Sequence, residues 1–223
     1  MNALWQFYTD PANNFWGTSL AFIQLCLISI LIAVAIGIVL GIAVSRTPIL
    51  AFIAVNLSGL MRAIPIIAFL IAATAIPALG LGFRTAVIAM ILLGIPPVLL
   101  NTYTGLRGID PATIDAARGM GMTNGQIMTR VQLPLVLPII AAGARTAAVQ
   151  IVATAPLAAF INAGGYGDYI VTGFYLLHNV EILAGAIPVT LIALLVEVGM
   201  SSLERFLTPT GLQIKGTLET AKV

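Results

Sequence analysis

The polar and ionisable side chains of this chain are few, and their spacing limits the chemistry they can do. Asp115 lies with Arg118 and Arg130 in the stretch DAARGMGMTNGQIMTRVQLP, residues 115–134, a glycine-punctuated polar island. Thr146, Gln150 and Thr154 recur at every fourth position beyond Arg145, and so share one face of a helix. No Ser-His-Asp set, no Walker-type glycine-lysine run to cradle phosphates and no cluster of metal ligands accompanies them. His178, the single histidine, stands beside Asn179 with no second ligand near it and reads as a solvated surface residue. Cys26, the single cysteine, lies in an apolar run and reads as a small packing residue. These groups suit recognition and passage rather than bond making, so the chain is expected to be no enzyme and to hold no metal or cofactor.

The elements that position these residues must live in lipid. The chain is 60% hydrophobic and 8% charged, with a mean hydropathy of +1.07. A water-soluble globule of that composition would lack the polar surface to cover itself, whereas a bilayer removes the need. The expected class is an all-α integral membrane protein of about five transmembrane helices. The net charge of +2 carries no basic run, which argues against a nucleic-acid partner.

Taken in order, residues 1–19 carry Trp5, Phe7, Tyr8, Phe15 and Trp16 without the positive region of a signal peptide, and read as an interfacial segment. Leu20 to Val44 is an uncharged apolar run and the first span. Within it Gly37 and Gly41 form a GxxxG pair. A helix lying along the membrane is expected next, then a second span over Arg62 to Leu79, and a third over Thr85 to Tyr103 kinked by Pro96 and Pro97. The fourth begins near Pro138 and runs to Phe160. Two uses of its 146/150/154 face are open, a water-filled path or hydrogen bonds to neighbouring helices. Arg145 suits pairing or snorkelling. Ile161 to Leu177, with its Ala-Gly-Gly-Tyr-Gly-Asp run, reads as an outer loop or re-entrant turn, and Ile182 to Met200 as the fifth span.

Basic residues set the orientation. With the N-terminus outside and the C-terminus cytoplasmic, Arg46, Arg62, Arg107, Arg118, Arg130, Arg205, Lys215 and Lys222 fall on the inner side against Arg84 outside. The polar island is then cytoplasmic. Asp110 as N-cap and Pro111 as first residue open a helix over Ala112 to Arg118 that Gly119 ends. Thr123 and Gln126 form a capping-box pattern for a second helix, which Pro134 closes. Ala116, Ala117, Gly119 and Gly121 leave little side-chain bulk on this helix-turn-helix knob. Ile127, Met128 and Val131 give it an apolar stripe for docking.

The island reads Asp115-Ala116-Ala117, three residues, Gly121, nine residues, Val131, Gln132, Leu133-Pro134. It resembles the cytoplasmic signature of the membrane subunits of binding-protein-dependent ABC importers: Glu-Ala-Ala, three residues, Gly, nine residues, Ile, any residue, Leu-Pro. Asp115 replaces Glu and Val131 replaces Ile, and both keep the chemistry. Stretches from Asn56 to Leu194, among them Arg62-Ala-Ile-Pro65, PVLLNTYTGLRG (97–108), GART (143–146), LAAFINAGGYGD (157–168) and GAIP (185–188), resemble the osmoprotectant branch, with Pro156 and Tyr166 departing where Thr and Leu are usual.

That resemblance implies a multi-pass permease subunit of the bacterial cytoplasmic (inner) membrane, passing a quaternary amine such as glycine betaine, choline or carnitine. It implies a permease domain at 20–204, a coupling loop at 105–134 and a cytoplasmic tail at 205–223. Asp115, Ala116, Ala117, Gly119, Gly121, Leu133 and Pro134 would form the ATPase contact; Arg145, Thr146, Gln150 and Thr154 are the candidate translocation path. Partners would be a dimer of ATP-binding subunits that bind the ATP, a second permease subunit, identical or paralogous, and an extracytoplasmic binding protein. Alternatives are an ABC permease for another solute such as an amino acid, a proton-coupled carrier using Glu197, and a membrane scaffold.

Overall fold

The computed structural model describes residues 2–207, and every regular element among them is helical. α1 (Asn2–Thr9) passes through a 3-10 turn, Pro11–Asn13, into α2 (Phe15–Ser45). α2 starts at Phe15 rather than Leu20, because nothing before Arg46 interrupts it: no proline and no charge lies within it. Its buried positions Phe22, Cys26, Ser29, Ala33, Gly37 and Gly41 follow helical spacing. Leu31 and Val39 face outward at 61% and 66% exposure, an apolar surface that suits lipid.

The expected second span is corrected. α3 (Pro48–Ala63) and α4 (Ile66–Thr74) meet at a break, and Pro48–Met61 lies at 93° to Ile66–Thr74. Pro65 has no N–H to donate and drives Ile64 to an extended φ of −79° and ψ of 122°, so one helix cannot run through. The nine residues of α4 rise only about 13 Å at ~1.5 Å each, less than half of a ~30 Å hydrocarbon core. Four helices are long and apolar enough to cross by themselves, 11–45, 83–107, 124–161 and 179–207, and the bent pair makes up to five.

α5 (Phe83–Arg107) is the centre of the bundle, packed between α2 and α8 (Leu133–Thr154). It runs through Pro96 and Pro97, both buried. The GxxxG pair lies in its seam with α2. A Cβ on Gly37 would come within 2.6 Å of Val98 Cβ, and one on Gly41 within 2.5 Å of Thr102 Cβ, so glycine is what lets these helices approach. Phe22, Leu25, Leu70, Met90, Ile151 and Val152 fill the main core.

After α8 the chain continues as a 3-10 segment, Ala155–Ile161, and turns at Asn162, Gly164 and Gly165, with φ of 56°, 80° and 100°. It does not stay a loop: α9 (Tyr166–Leu176) follows, which corrects the reading of 161–177. The positive-φ residues are confined to the corner, and the Tyr-Gly-Asp-Tyr run beyond it is free to wind. Tyr166, one of the two departures from the osmoprotectant pattern, donates to Ser19 Oγ at 2.8 Å and packs on Phe22. A Cβ on Gly167 would clash with the carbonyl oxygen of Pro156, the other departure, so the two elements touch backbone to backbone.

α10 (Asn179–Leu207) packs on α8 and α9, and is longer than the expected Ile182 to Met200 at both ends. His178, just before it, is 66% exposed with Nδ1 3.7 Å from Glu181 Oε1. α1 leans on α10, with Tyr8 donating to the Ala184 carbonyl at 3.4 Å. Burial, and after it Tyr166, pushes the Tyr8 hydroxyl above the ordinary phenol range. The N-terminal segment is thus packed against the bundle as well as aromatic. Lys215, Lys222 and most of the tail at 205–223 lie outside the described residues.

Candidate coupling knob and polar face

The knob is built by its caps. In α6 (Pro111–Gly119) the Asp110 carboxylate accepts the Ala112 N–H at 2.9 Å, with Pro111 at the first position. The helix ends at Gly119, as expected, with Met120 as its C-cap. Gly121, at φ 79°, donates its N–H to the Arg118 carbonyl at 2.9 Å, and Met122 donates to Ala117 at 3.2 Å. These two bonds form a Schellman motif, whose left-handed residue is Gly121. α7 (Asn124–Ile127) opens on a complete capping box. Gln126 N–H donates to Thr123 Oγ1 at 3.4 Å, and Thr123 N–H donates to Gln126 Oε1 at 2.9 Å.

Pro134 does not close this second helix. A π-helical turn, Met128–Gln132, carries α7 straight into α8, and Leu133 N–H bonds the carbonyl of Met128, one residue further back than in an α-helix. Pro134 therefore occupies the first turn of α8, where its missing N–H is harmless, and the widened turn before it leaves room for the ring. Of the apolar stripe, Ile127 and Met128 face inward onto the chain's own packing, and Val131 is half-buried. Ile127 is 3% exposed, and Met128 and Leu133 pack on Leu106, Val136 and Ile140.

The candidate contact residues separate accordingly. Asp115, Ala116, Gly119, Gly121 and Pro134 are exposed and Leu133 is half-buried. Ala117, at 2% exposure, belongs to the knob's own packing. Arg118 lies 3.5 Å from Asp115, both exposed, a surface pair worth little on its own. Met120, exposed at 74% on the tip, escaped the sequence reading. Its signal was its place between Gly119 and Gly121. So did the recess of about 720 Å³ beneath the knob, where Arg46 and Arg107 from the ends of α2 and α5 converge with Arg118.

On α8, Thr146 donates back to the Ala142 carbonyl at 3.0 Å and Thr154 to that of Gln150 at 2.7 Å. Both hydroxyl protons are spent within the helix, which makes the groups tolerable in an apolar setting. Thr146 is exposed and Gln150 and Thr154 half-buried, and Thr154 Oγ1 lies 3.5 Å from the sulfur of the buried Met90, so the face is open at Thr146 and borders the core at Thr154. Arg145 pairs with Glu197, and its other nitrogen lies 3.3 Å from Glu204 Oε2, tying α8 to α10. Glu197, the acid a proton carrier would need, is thereby engaged. Gln150→Leu is expected to reduce uptake several-fold while leaving co-purification of the ATPase unchanged. Transport assayed in membrane vesicles checks it, and unaltered uptake would reduce the face to a tolerated polar stripe.

A bundle of four long apolar helices with one bent pair, carrying a compact capped knob between two of its spans, defines a multi-pass helical membrane protein. The chain belongs to the family described as binding-protein-dependent transport system inner membrane component, which matches residues 14–210. It is therefore an inner-membrane permease subunit of an ABC importer. It is 37% identical over 213 residues to the carnitine transport permease protein OpuCB of Listeria monocytogenes, covering 96% of this chain and 97% of that one. It is 34% identical over 213 residues to the choline transport system permease protein OpuBB of Bacillus subtilis strain 168, with the same coverage. Among solved structures, a chain of the MetNI methionine ABC transporter in inward-facing conformations matches with a TM-score of 0.75 at 20% identity, over 87% of this chain and 96% of that one. That likeness concerns the fold alone.

Proposed function

We propose that this subunit forms the membrane path for a small quaternary amine of the carnitine, choline or glycine betaine class, driven by ATP bound and hydrolysed on separate subunits. The observation that carries this reading is the similarity, at 37% and 34% identity over nearly the whole chain, to carnitine and choline permeases. The solute passes between this chain and a second permease subunit after delivery by an extracytoplasmic binding protein. Energy enters through the exposed corner of α6, at Asp115, Ala116, Gly119 and Gly121. The chain supplies no nucleotide site of its own.

Reconstitution with a cognate ATPase and binding protein tests this. Labelled carnitine, choline or glycine betaine should accumulate in an ATP-dependent manner that an ionophore does not affect. Uptake that survives ATP removal and collapses with the ionophore would instead indicate a proton-coupled carrier. Accumulation of methionine alone would favour an amino-acid permease.

The orientation proposed with it, N-terminus outside, follows from the basic-residue asymmetry. Cysteines placed at the exposed positions Ala12 and Asn179 in a Cys26→Ala background should react with an impermeant maleimide on intact cells. One at exposed Asn124 should react only after permeabilisation. Labelling of Asn124 in intact cells would invert the arrangement.

A further inference from the structure

At the end of the bundle remote from the knob, the first residues of the chain build a recess of about 790 Å³ that nothing above employs. Trp5, Tyr8, Asp10, Phe15 and Trp16 line it. The fold creates it: Asp10 caps the Pro11–Asn13 turn, and Asn14, at φ 45°, swings the chain from α1 into α2, so aromatic rings from both helices border one hollow. Tyr8 lies tilted against Phe15 with ring centroids 4.7 Å apart, and Trp16 meets Phe15 edge-on at 5.7 Å. Both tryptophans stand at the open side, 71% and 81% exposed.

The chemistry of the lining selects its guest. The carboxylate of Asp10 is the one ionisable charge among the lining residues. The hydroxyls are already committed, Tyr8 donating to the Ala184 carbonyl and Thr9 to the Trp5 carbonyl at 2.9 Å. An anion would meet a like charge. A neutral apolar guest would gain the rings but nothing from the carboxylate. A quaternary ammonium carries no N–H to satisfy, spreads its charge over methyl groups, and is attracted both by ring faces within about 6 Å and by a carboxylate.

We propose that this recess is a docking site on the permease itself for the trimethylammonium group of a free solute, on the outer face in the orientation given above. The choice of solute rests on the substrate class proposed above. A choline-bearing lipid headgroup offers the same chemistry and is separated by the test.

Trp5 and Trp16 are the chain's two tryptophans, so intrinsic tryptophan fluorescence of the permease alone reports on the recess. The protein is placed in nanodiscs of phosphatidylethanolamine and phosphatidylglycerol and titrated with choline. The expected result is a saturable change in emission, none with the uncharged isostere 3,3-dimethylbutan-1-ol, and a several-fold weaker response to glycine betaine, whose carboxylate Asp10 repels. Asp10→Asn keeps a capping side chain for the Pro11–Asn13 turn and should weaken the choline response several-fold. A flat titration, or an equal response to the isostere, overturns the proposal. So does phosphatidylcholine reproducing the change without solute and abolishing the choline response, which would make the recess a lipid site. Failure of the titration with quaternary-amine uptake intact sinks the recess alone; a positive titration with no such uptake sinks the transport substrate alone.

Discussion

Ala116→Trp and Gly121→Val are each expected to leave the spans inserted and to abolish uptake, for different reasons. Ala116 is exposed on α6, so an indole there has room within the chain and matters only if another protein must approach closely. Overpacking a tight contact costs roughly 1–3 kcal/mol, enough to weaken ATPase association about tenfold or more. At Gly121 an added Cβ meets nothing within 4 Å, so the penalty there is not a clash inside this chain. It is conformational: φ is 79°, and a β-branched residue held in a left-handed conformation costs of order 1–3 kcal/mol. Valine would therefore spoil the Schellman turn and re-aim the tip that carries Met120. The measurements are labelling at Ala12 and Asn124, solute uptake, and ATPase co-purification. Ala117→Trp is the contrast, because Ala117 is buried and its enlargement should disrupt the knob itself. An Ala116→Trp protein with full uptake and full ATPase binding would remove the knob as the point of contact.

Gly41→Leu is expected to be the most damaging change to the folded bundle. The seam between α2 and α5 closes on Gly41 with Thr102 Cβ 2.5 Å and the Leu99 carbonyl oxygen 3.0 Å from the position of an added Cβ. One of these atoms is backbone and the other is the root of a branched side chain, so neither can turn aside, and the helices must separate. Separation would spread along both helices and uncover Val98 and Ala33. Loss of the monodisperse peak in detergent, or a fall in melting temperature of several degrees, checks it. Gly199→Ala is the control: a Cβ there meets nothing within 4 Å, and alanine is the better helix former by about 1 kcal/mol. Equal melting temperatures for Gly41→Leu and the unaltered protein would show that the seam yields.

What the sequence disclosed was local, and what it hid was directional. The caps at Asp110 and at Thr123 with Gln126 were readable because a cap is a relation between residues a few positions apart. The uninterrupted course of α2 was readable for the same reason. Alanine gave no such guidance: Ala116 and Ala117 look alike in sequence, yet one is exposed and one buried. Ile127 belonged to a stripe whose spacing was evident but whose partner, the chain's own Leu106 region or another protein, was not. Pro134 misled because proline's effect depends on the hydrogen-bond register before it, which a π turn alters. Arg145 was expected to pair or to snorkel, and the choice was not legible because its partners Glu197 and Glu204 lie more than fifty positions away and required the packing of α10 on α8. A sharp turn here was legible, because a helix along the membrane was expected ahead of the second span, but the shortness of α4 was not.

The helical run from Asn124 to Ile161 outlasts the membrane it crosses. Its 38 residues extend about 57 Å at ~1.5 Å each, and a tilt of ~20° shortens the vertical reach only to about 54 Å. Against a hydrocarbon core of ~30 Å, a substantial part of this rod stands clear of the bilayer, and α7 is its tip. Thr146, Gln150 and Thr154 lie on the same rod, with the π turn between them and its tip. On the coupling proposed above, a displacement of the tip travels to that polar face along one continuous helical run. The π turn and Pro138 are the places where the run can flex, so the protein works as a jointed lever.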